Sequence, residues 1–270
     1  MNIGIMQGRL SPIYNSRIQK FPMYHWETEF YIAKSLNLKL IEWTIDDENF
    51  NKNPIVTNKG TDEILNIIKL TDVKVNSVTA DCFMQKPIWI KKNNYMKKNL
   101  SRLIKFCGKL GINYIIFPLV DNSSLQKVTN RKNIINIFEK FLSELKEYRV
   151  KILFESDFDP KKLRKFISKF DKNFFGINYD SGNSASLGYD IDEEFKYYGD
   201  FIKNVHIKDR KRNGNTIKLG GGDTNFKKLF RNIKKINYKN NLILQTARSN
   251  NDEHIREIID NLNFIKKKIK

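Results

Sequence analysis

The chain is poor in cysteine, with Cys82 and Cys107 alone among 270 residues. Two thiols exclude a disulfide framework, and their spacing excludes a zinc-finger site. They fit a reducing compartment, so the expected location is the cytoplasm. No apolar run approaches the roughly 20 residues that a membrane helix needs. The N-terminus, Met1-Asn2-Ile3-Gly4-Ile5-Met6, has no basic leader followed by a long apolar stretch, so no signal peptide is expected. Gly4 and Gly8 do not make the GxGxxG turn that an open dinucleotide-binding sheet would usually carry. Proline, glycine and serine never cluster into a linker, which favours one domain over residues 1–270.

Basic residues are abundant, 49 Lys and Arg against 30 Asp and Glu, for a formal charge of +19. They are spread along the chain, as in Lys161-Lys162-Leu163-Arg164-Lys165 and Lys266-Lys267-Lys268. No basic block is interleaved with aromatics, which argues for compositional drift rather than a nucleic-acid partner. A positive field would still steer an anionic substrate such as a sugar phosphate.

Short apolar runs alternate with amphipathic stretches. The runs are Asn2–Met6, Lys39–Trp43, Val73–Val78, Asn113–Pro118, Val150–Glu155, Phe174–Asp180, Ile202–Lys208 and Asn241–Gln245. Between them, apolar residues recur at three and four spacing, as in Trp26–Leu36, Thr61–Leu70, Leu100–Leu110, Ile134–Tyr148, Lys161–Phe170 and Asp252–Ile265. Eight strand–helix units at intervals of roughly 35 residues predict an α/β fold, a closed parallel (β/α)8 TIM barrel. The long connection Gln7–Tyr24 falls on the catalytic face of such a barrel.

In a parallel barrel a polar residue at the C-terminal end of a strand points into the mouth. The last four strands end on Glu155, Asp180, His206 and Gln245. Adjacent strands stand about 4.8 Å apart, so four side chains at one height can converge on one divalent ion. Carboxylate oxygens with one imidazole nitrogen suit Mn²⁺, Mg²⁺, Co²⁺ or Zn²⁺. Any one of these residues alone reads as a capping or surface group; the pattern on consecutive strands reads as a metal site. His25 and His254 close no strand.

These strand ends carry a resemblance. With Gly4-Ile5-Met6-Gln7-Gly8-Arg9-Leu10, Ile41-Glu42-Trp43, Tyr179-Asp180-Ser181-Gly182-Asn183, Val205-His206-Ile207-Lys208-Asp209 and Leu219-Gly220-Gly221-Gly222-Asp223, the chain resembles the xylose isomerase-like TIM-barrel family. That family includes sugar-phosphate isomerases, ketose 3-epimerases and endonuclease IV. The resemblance implies a metal-dependent isomerase or epimerase of a sugar or sugar phosphate, a small carbohydrate, working through a metal-stabilised enediolate. It implies metal binding by Glu155, Asp180, His206 and Gln245, with Glu155 as acid and base. Family epimerases carry a glutamate where this chain has Gln245. An amide can ligate but cannot take up a proton, so a symmetric pair of bases is missing; Asp209, Glu42 and Lys208 are weak candidates for the second base. Asn183 stands where some relatives have a substrate- or metal-binding histidine. The family's substrate arginine, six residues past the metal histidine, corresponds to Arg212.

Further substrate contacts are expected from Arg9, Lys208 and Arg248, and the glycine segment Gly220–Gly222 is a candidate phosphate loop. Trp43 and Phe83 read either as an apolar sugar wall or as core. A lyase or dehydratase on the same scaffold and a barrel without catalysis are the alternatives. A trinuclear nuclease is disfavoured by the three histidines. Barrels of this type often pair, and a homodimer is compatible with the sequence without being specified by it.

Overall fold

Strand periodicity decides this molecule, because in each strand successive side chains face opposite ways. The computed structural model describes residues 1–13, 19–48, 50–90, 94–248 and 253–269. In chain order the elements begin with β1 (Asn2–Met6), α1 (Trp26–Ser35), β2 (Leu40–Thr44), α2 (Asn58–Thr71), β3 (Lys74–Thr79), α3 (Cys82–Gln85) and α4 (Asn94–Lys109). There follow β4 (Tyr114–Leu119), α5 (Val128–Tyr148), β5 (Lys151–Ser156), α6 (Pro160–Ile167), β6 (Phe175–Asp180), α7 (Ser181–Leu187) and α8 (Ile191–Tyr198). The last are β7 (Ile202–Ile207), β8 (Asp209–Arg210), β9 (Thr216–Ile217), α9 (Phe226–Lys235), β10 (Asn241–Leu244) and α10 (His254–Ile269).

Eight strands close a parallel barrel in the order β1-β10-β7-β6-β5-β4-β3-β2. The eight expected strands are all present, each within one residue of its expected ends. Helices α2, α4 and α5 start earlier than periodicity alone suggests, because polar first turns such as Asn58-Lys59-Gly60 lack apolar spacing. The expected start of the last helix, Asp252, lies outside the described residues. Among the described residues no helix is long and apolar enough to cross a membrane.

Alternation places apolar side chains outward under the helices and polar ones inward at the mouth. On β5, Phe154 packs outward while Glu155 faces in. Phe154 sits in an aromatic layer with Phe138 at 5.2 Å, Phe170 at 5.1 Å and Phe166 at 5.5 Å between ring centroids. Phe117 and Phe175 from the neighbouring strands complete it. Truncating Phe154 to alanine opens a cavity that fixed strands and helices cannot close. Phe154→Ala is therefore expected to cost roughly 3–5 kcal/mol of stability in denaturant unfolding.

Trp43 and Phe83 belong to this outer layer, not to a sugar wall. Trp43 is fully buried against Phe21, Trp26 and Phe30, and Phe83 stacks on Phe117 at 4.8 Å. Period two is the reason: Glu42 takes the inward position on β2, so Trp43 must face out.

Candidate metal centre and active site

The metal candidates lie at the ends of four adjoining strands, β5, β6, β7 and β10. Asp180 on β6 pairs with His206 on β7, and His206 pairs with Ile243 on β10, two residues before Gln245. One ligand atom from each of Glu155, Asp180 and His206 lies within 4.8 Å of the others, and all three residues are buried. Gln245 lines the same cleft as Glu155. Its Oε1 is buried and has no hydrogen-bond partner. An orphaned buried carbonyl costs free energy unless a donor or cation meets it.

His206 is held from behind by a residue remote in sequence. Its Nε2 lies 2.6 Å from Glu42 Oε1, and both side chains are fully buried. Glu42 also accepts from Ser77 Oγ at 2.6 Å, Thr79 Oγ1 at 2.5 Å and Asn204 Nδ2 at 2.9 Å. Burial works against charge on Glu42, but His206, Ser77 and Thr79 overcome it and hold the carboxyl below its usual range. Burial likewise opposes an imidazolium. The charges and hydrogen bonds of Glu42 and Glu155 outweigh it and push His206 up to about 10. With Nε2 against Glu42, the other ring nitrogen, Nδ1, lies 3.3 Å from Glu155 Oε2 and 3.0 Å from Asn178 Nδ2.

Glu155 is fixed by two amides. Asn178 Nδ2 donates to Oε2 at 2.7 Å and Asn183 Nδ2 donates to Oε1 at 2.8 Å. Asp180 Oδ1 accepts from the Asn183 backbone N–H at 2.8 Å and so caps α7. That cap explains a helix with no amphipathic pattern, Ser-Gly-Asn-Ser-Ala-Ser-Leu, which periodicity misses. Lys208 Nζ lies 3.2 Å from Asp180 Oδ2. The lysine stem crosses Gly182, where a Cβ would stand 2.6 Å from Lys208 Cγ.

The cleft beside Glu155 is lined by Arg9, Asp81, Asn183, Lys208, Arg210 and Gln245, among others. Of the expected substrate contacts, Arg9, Asn183 and Lys208 are on its wall. Burial and the neighbouring Arg248 lower the Arg9 pKa to about 9. Arg212 does not reach the cleft. It is exposed, its backbone N–H donates to Asp223 Oδ2 at 2.7 Å, and its guanidinium lies over Gly188. The β8–β9 hairpin turns the chain so that Arg210 faces inward instead, donating from Nη1 to Asn183 Oδ1 at 2.8 Å. Arg248 is half-buried outside the lining and donates from Nη2 to Ser11 O at 2.5 Å, bracing the first loop.

The glycine segment serves an internal anion. Gly220 N and Gly222 N donate to Asp209 Oδ2 at 2.8 and 3.0 Å, and Thr224 N donates to Oδ1 at 3.1 Å. These amides are therefore spent on Asp209 rather than turned to a phosphate, and Asp209 is not placed to act as a base. A Cβ on Gly222 would collide with the Asp209 carboxylate. Gly222→Ala should detach at least one donor from a buried acceptor, at roughly 1–3 kcal/mol each. The expected result is a lower melting temperature together with weaker substrate binding, since Arg210 is seated on the same loop.

Asp81 is the lining residue that strand-end reasoning missed. It follows β3 by two residues and is 7% exposed. Burial and the charge of Glu155 raise its pKa to about 7, against the pull of His206 and Lys208. The available signal was a carboxylate just past an apolar strand, on a strand outside the last four.

The sequence matches the xylose isomerase-like TIM-barrel family over residues 30–268. No curated protein matches it. Among solved structures, a D-psicose 3-epimerase from Clostridium cellulolyticum H10, crystallised with D-tagatose, superposes with a TM-score of 0.79 at 11% identity over 100% of both chains. A xylose isomerase domain protein from Planctomyces limnophilus gives 0.77 at 13% identity, over 98% of this chain and 96% of that one. An IOLI protein with a binding zinc atom gives 0.78 at 14% identity, over 100% of this chain and 99% of that one. Identities this low establish the shared fold, while the sequence match covers most of the chain: it belongs to the xylose isomerase-like TIM-barrel family.

Proposed function

We propose that the chain is a divalent-metal-dependent isomerase or epimerase of a sugar or sugar phosphate. The observation that carries this is the buried Glu155–Asp180–His206 cluster beside a cleft lined by both basic and acidic side chains. The donor set fits one divalent ion. Two carboxylates balance its charge, His206 offers Nδ1, and the partnerless Gln245 Oε1 supplies a neutral oxygen. Mn²⁺, Mg²⁺, Co²⁺ and Zn²⁺ all suit these atoms. When bound, such an ion supplies Lewis acidity, polarising a carbonyl so that the neighbouring C–H becomes acidic.

The protein's own groups do the rest. Glu155, oriented by Asn178 and Asn183, takes the proton from that carbon and returns it. Arg210, Lys208 and Arg9 bind hydroxyl or phosphate oxygens and fix which carbon faces Glu155. D-Tagatose in the similar epimerase crystal and zinc in the IOLI protein support a sugar and a divalent ion here. The two buried free thiols, Cys82 and Cys107, accord with a reducing, cytoplasmic setting.

The test is solvent exchange. Mn²⁺-loaded protein is incubated in D₂O with aldoses, ketoses and their phosphates, and products are read by NMR and mass spectrometry. Metal-dependent deuterium at the carbon beside the carbonyl is expected. Loss of water would assign a dehydratase instead, and no incorporation across the panel would contradict the proposal.

A further inference from the structure

Gln245 leaves the cleft one base short for any reaction that removes a proton from one face of a carbon and returns it to the other. Among the nearby carboxylates, Glu42 is sealed behind His206 by four donors. Asp209 is wrapped by its glycine loop, and Asp180 is committed to the α7 cap and Lys208. Asp81 is placed differently. It occupies the N-cap position of α3, yet its side chain makes no capping hydrogen bond. It lines the same cleft as Glu155 and takes a hydrogen bond from Gln19. Its backbone is already helical, so the side chain is free of any capping role and stands as a buried carboxylate on the cleft wall.

Topology sets its relation to Glu155. Strands β3 and β5 are separated by β4, so the two stations stand about 10 Å apart around the mouth at the usual strand spacing. Between them β4 contributes Pro118, which has no N–H, and Val120. Asp121 also lines the cleft from that side, but it is exposed to solvent, whereas Asp81 and Glu155 are buried carboxylates that approach from separate directions.

We propose that Asp81 is the second acid–base residue of the site, acting on the substrate face opposite Glu155, so that the reaction is inversion at carbon. This rests on the isomerase–epimerase reading above. In one direction the C–H bond breaks, its proton goes to the Glu155 carboxylate, and the electron pair moves into the adjacent carbonyl. The O–H bond of protonated Asp81 then breaks and a new C–H bond forms on the other face as the pair returns. Glu155 gives up its proton to water and Asp81 regains one, so the cycle is neutral overall.

The experiment compares wild type, Asp81→Asn, Asp81→Glu and Asp81→Asn with Gln245→Glu, each Mn²⁺-loaded in D₂O with D-fructose and D-tagatose. Deuterium exchange and stereochemical inversion are measured separately, with circular dichroism as the check on folding. Asp81→Asn should slow inversion by about 10²–10⁴-fold while slowing exchange, which Glu155 performs, by less than tenfold. Asp81→Glu should restore inversion at least tenfold over Asp81→Asn, and adding Gln245→Glu should partly rescue Asp81→Asn. Inversion at the wild-type rate in Asp81→Asn overturns the proposal. So does parallel loss of exchange and inversion, which marks a positioning role. Wild type that exchanges without inverting overturns it too, leaving a one-base isomerase intact. Wild type that does neither overturns both readings.

Discussion

Glu155→Gln is expected to lower metal-dependent solvent exchange by about 10²–10⁴-fold, the usual contribution of a positioned acid–base group. Glutamine keeps the shape of the side chain but cannot carry a proton. It also turns one NH₂ toward Asn178 or Asn183, both of which now donate to Glu155. Part of the loss could then come from weaker metal binding, so the rate is measured at saturating Mn²⁺ and the affinity in a separate titration. A rate within tenfold of wild type at saturation would remove Glu155 from the chemistry.

Glu42→Gln is expected to weaken metal binding by about 10–100-fold, although Glu42 is no ligand. Every group facing Glu42 donates to it: Ser77, Thr79, Asn204 and His206. An acceptor-only carboxylate satisfies all four, whereas an amide must point a donor at a donor. The substitution also removes the charge that holds Nε2 of His206 and so fixes Nδ1 beside Glu155. Calorimetric titration should show the affinity falling, with kcat at saturating metal changing much less. Equal affinity in the variant would mean that His206 is oriented by packing alone.

The two substitutions differ in how visible their targets are in the sequence. Glu155 closes an apolar run, and period two alone turns it inward while Phe154 turns out. Asp180 and His206 follow the same logic, which is why the barrel and its mouth were legible from strand ends. Glu42 sits inside Leu40–Thr44, and its partner His206 is 164 positions away. A carboxylate in the middle of a strand hints at a buried partner, but only closure of the barrel names it. Asp81 lies beyond β3, outside the four strands whose ends make a consecutive pattern. Arg210 replaces Arg212 at the cleft because a short hairpin redirects the chain, and two-residue strands leave no periodic trace. The glycine segment was readable as an amide-rich loop. Which anion it wraps was not, since Asp209 and Gly222 meet through tertiary folding.

Gln245 remains the residue on which site and chemistry meet. In the proposed reading it is a neutral ligand that holds the donor set at two negative charges, enough to balance a divalent ion, and it leaves proton transfer to Glu155 and the proposed partner Asp81.

The most direct test of the metal centre is calorimetric titration of metal-free protein with Mn²⁺, alongside Asp180→Asn and Gln245→Glu. One ion per chain is predicted, bound more weakly in Asp180→Asn and more tightly in Gln245→Glu. Absence of binding at millimolar Mn²⁺, or binding that neither substitution alters, would contradict a centre built from Glu155, Asp180, His206 and Gln245.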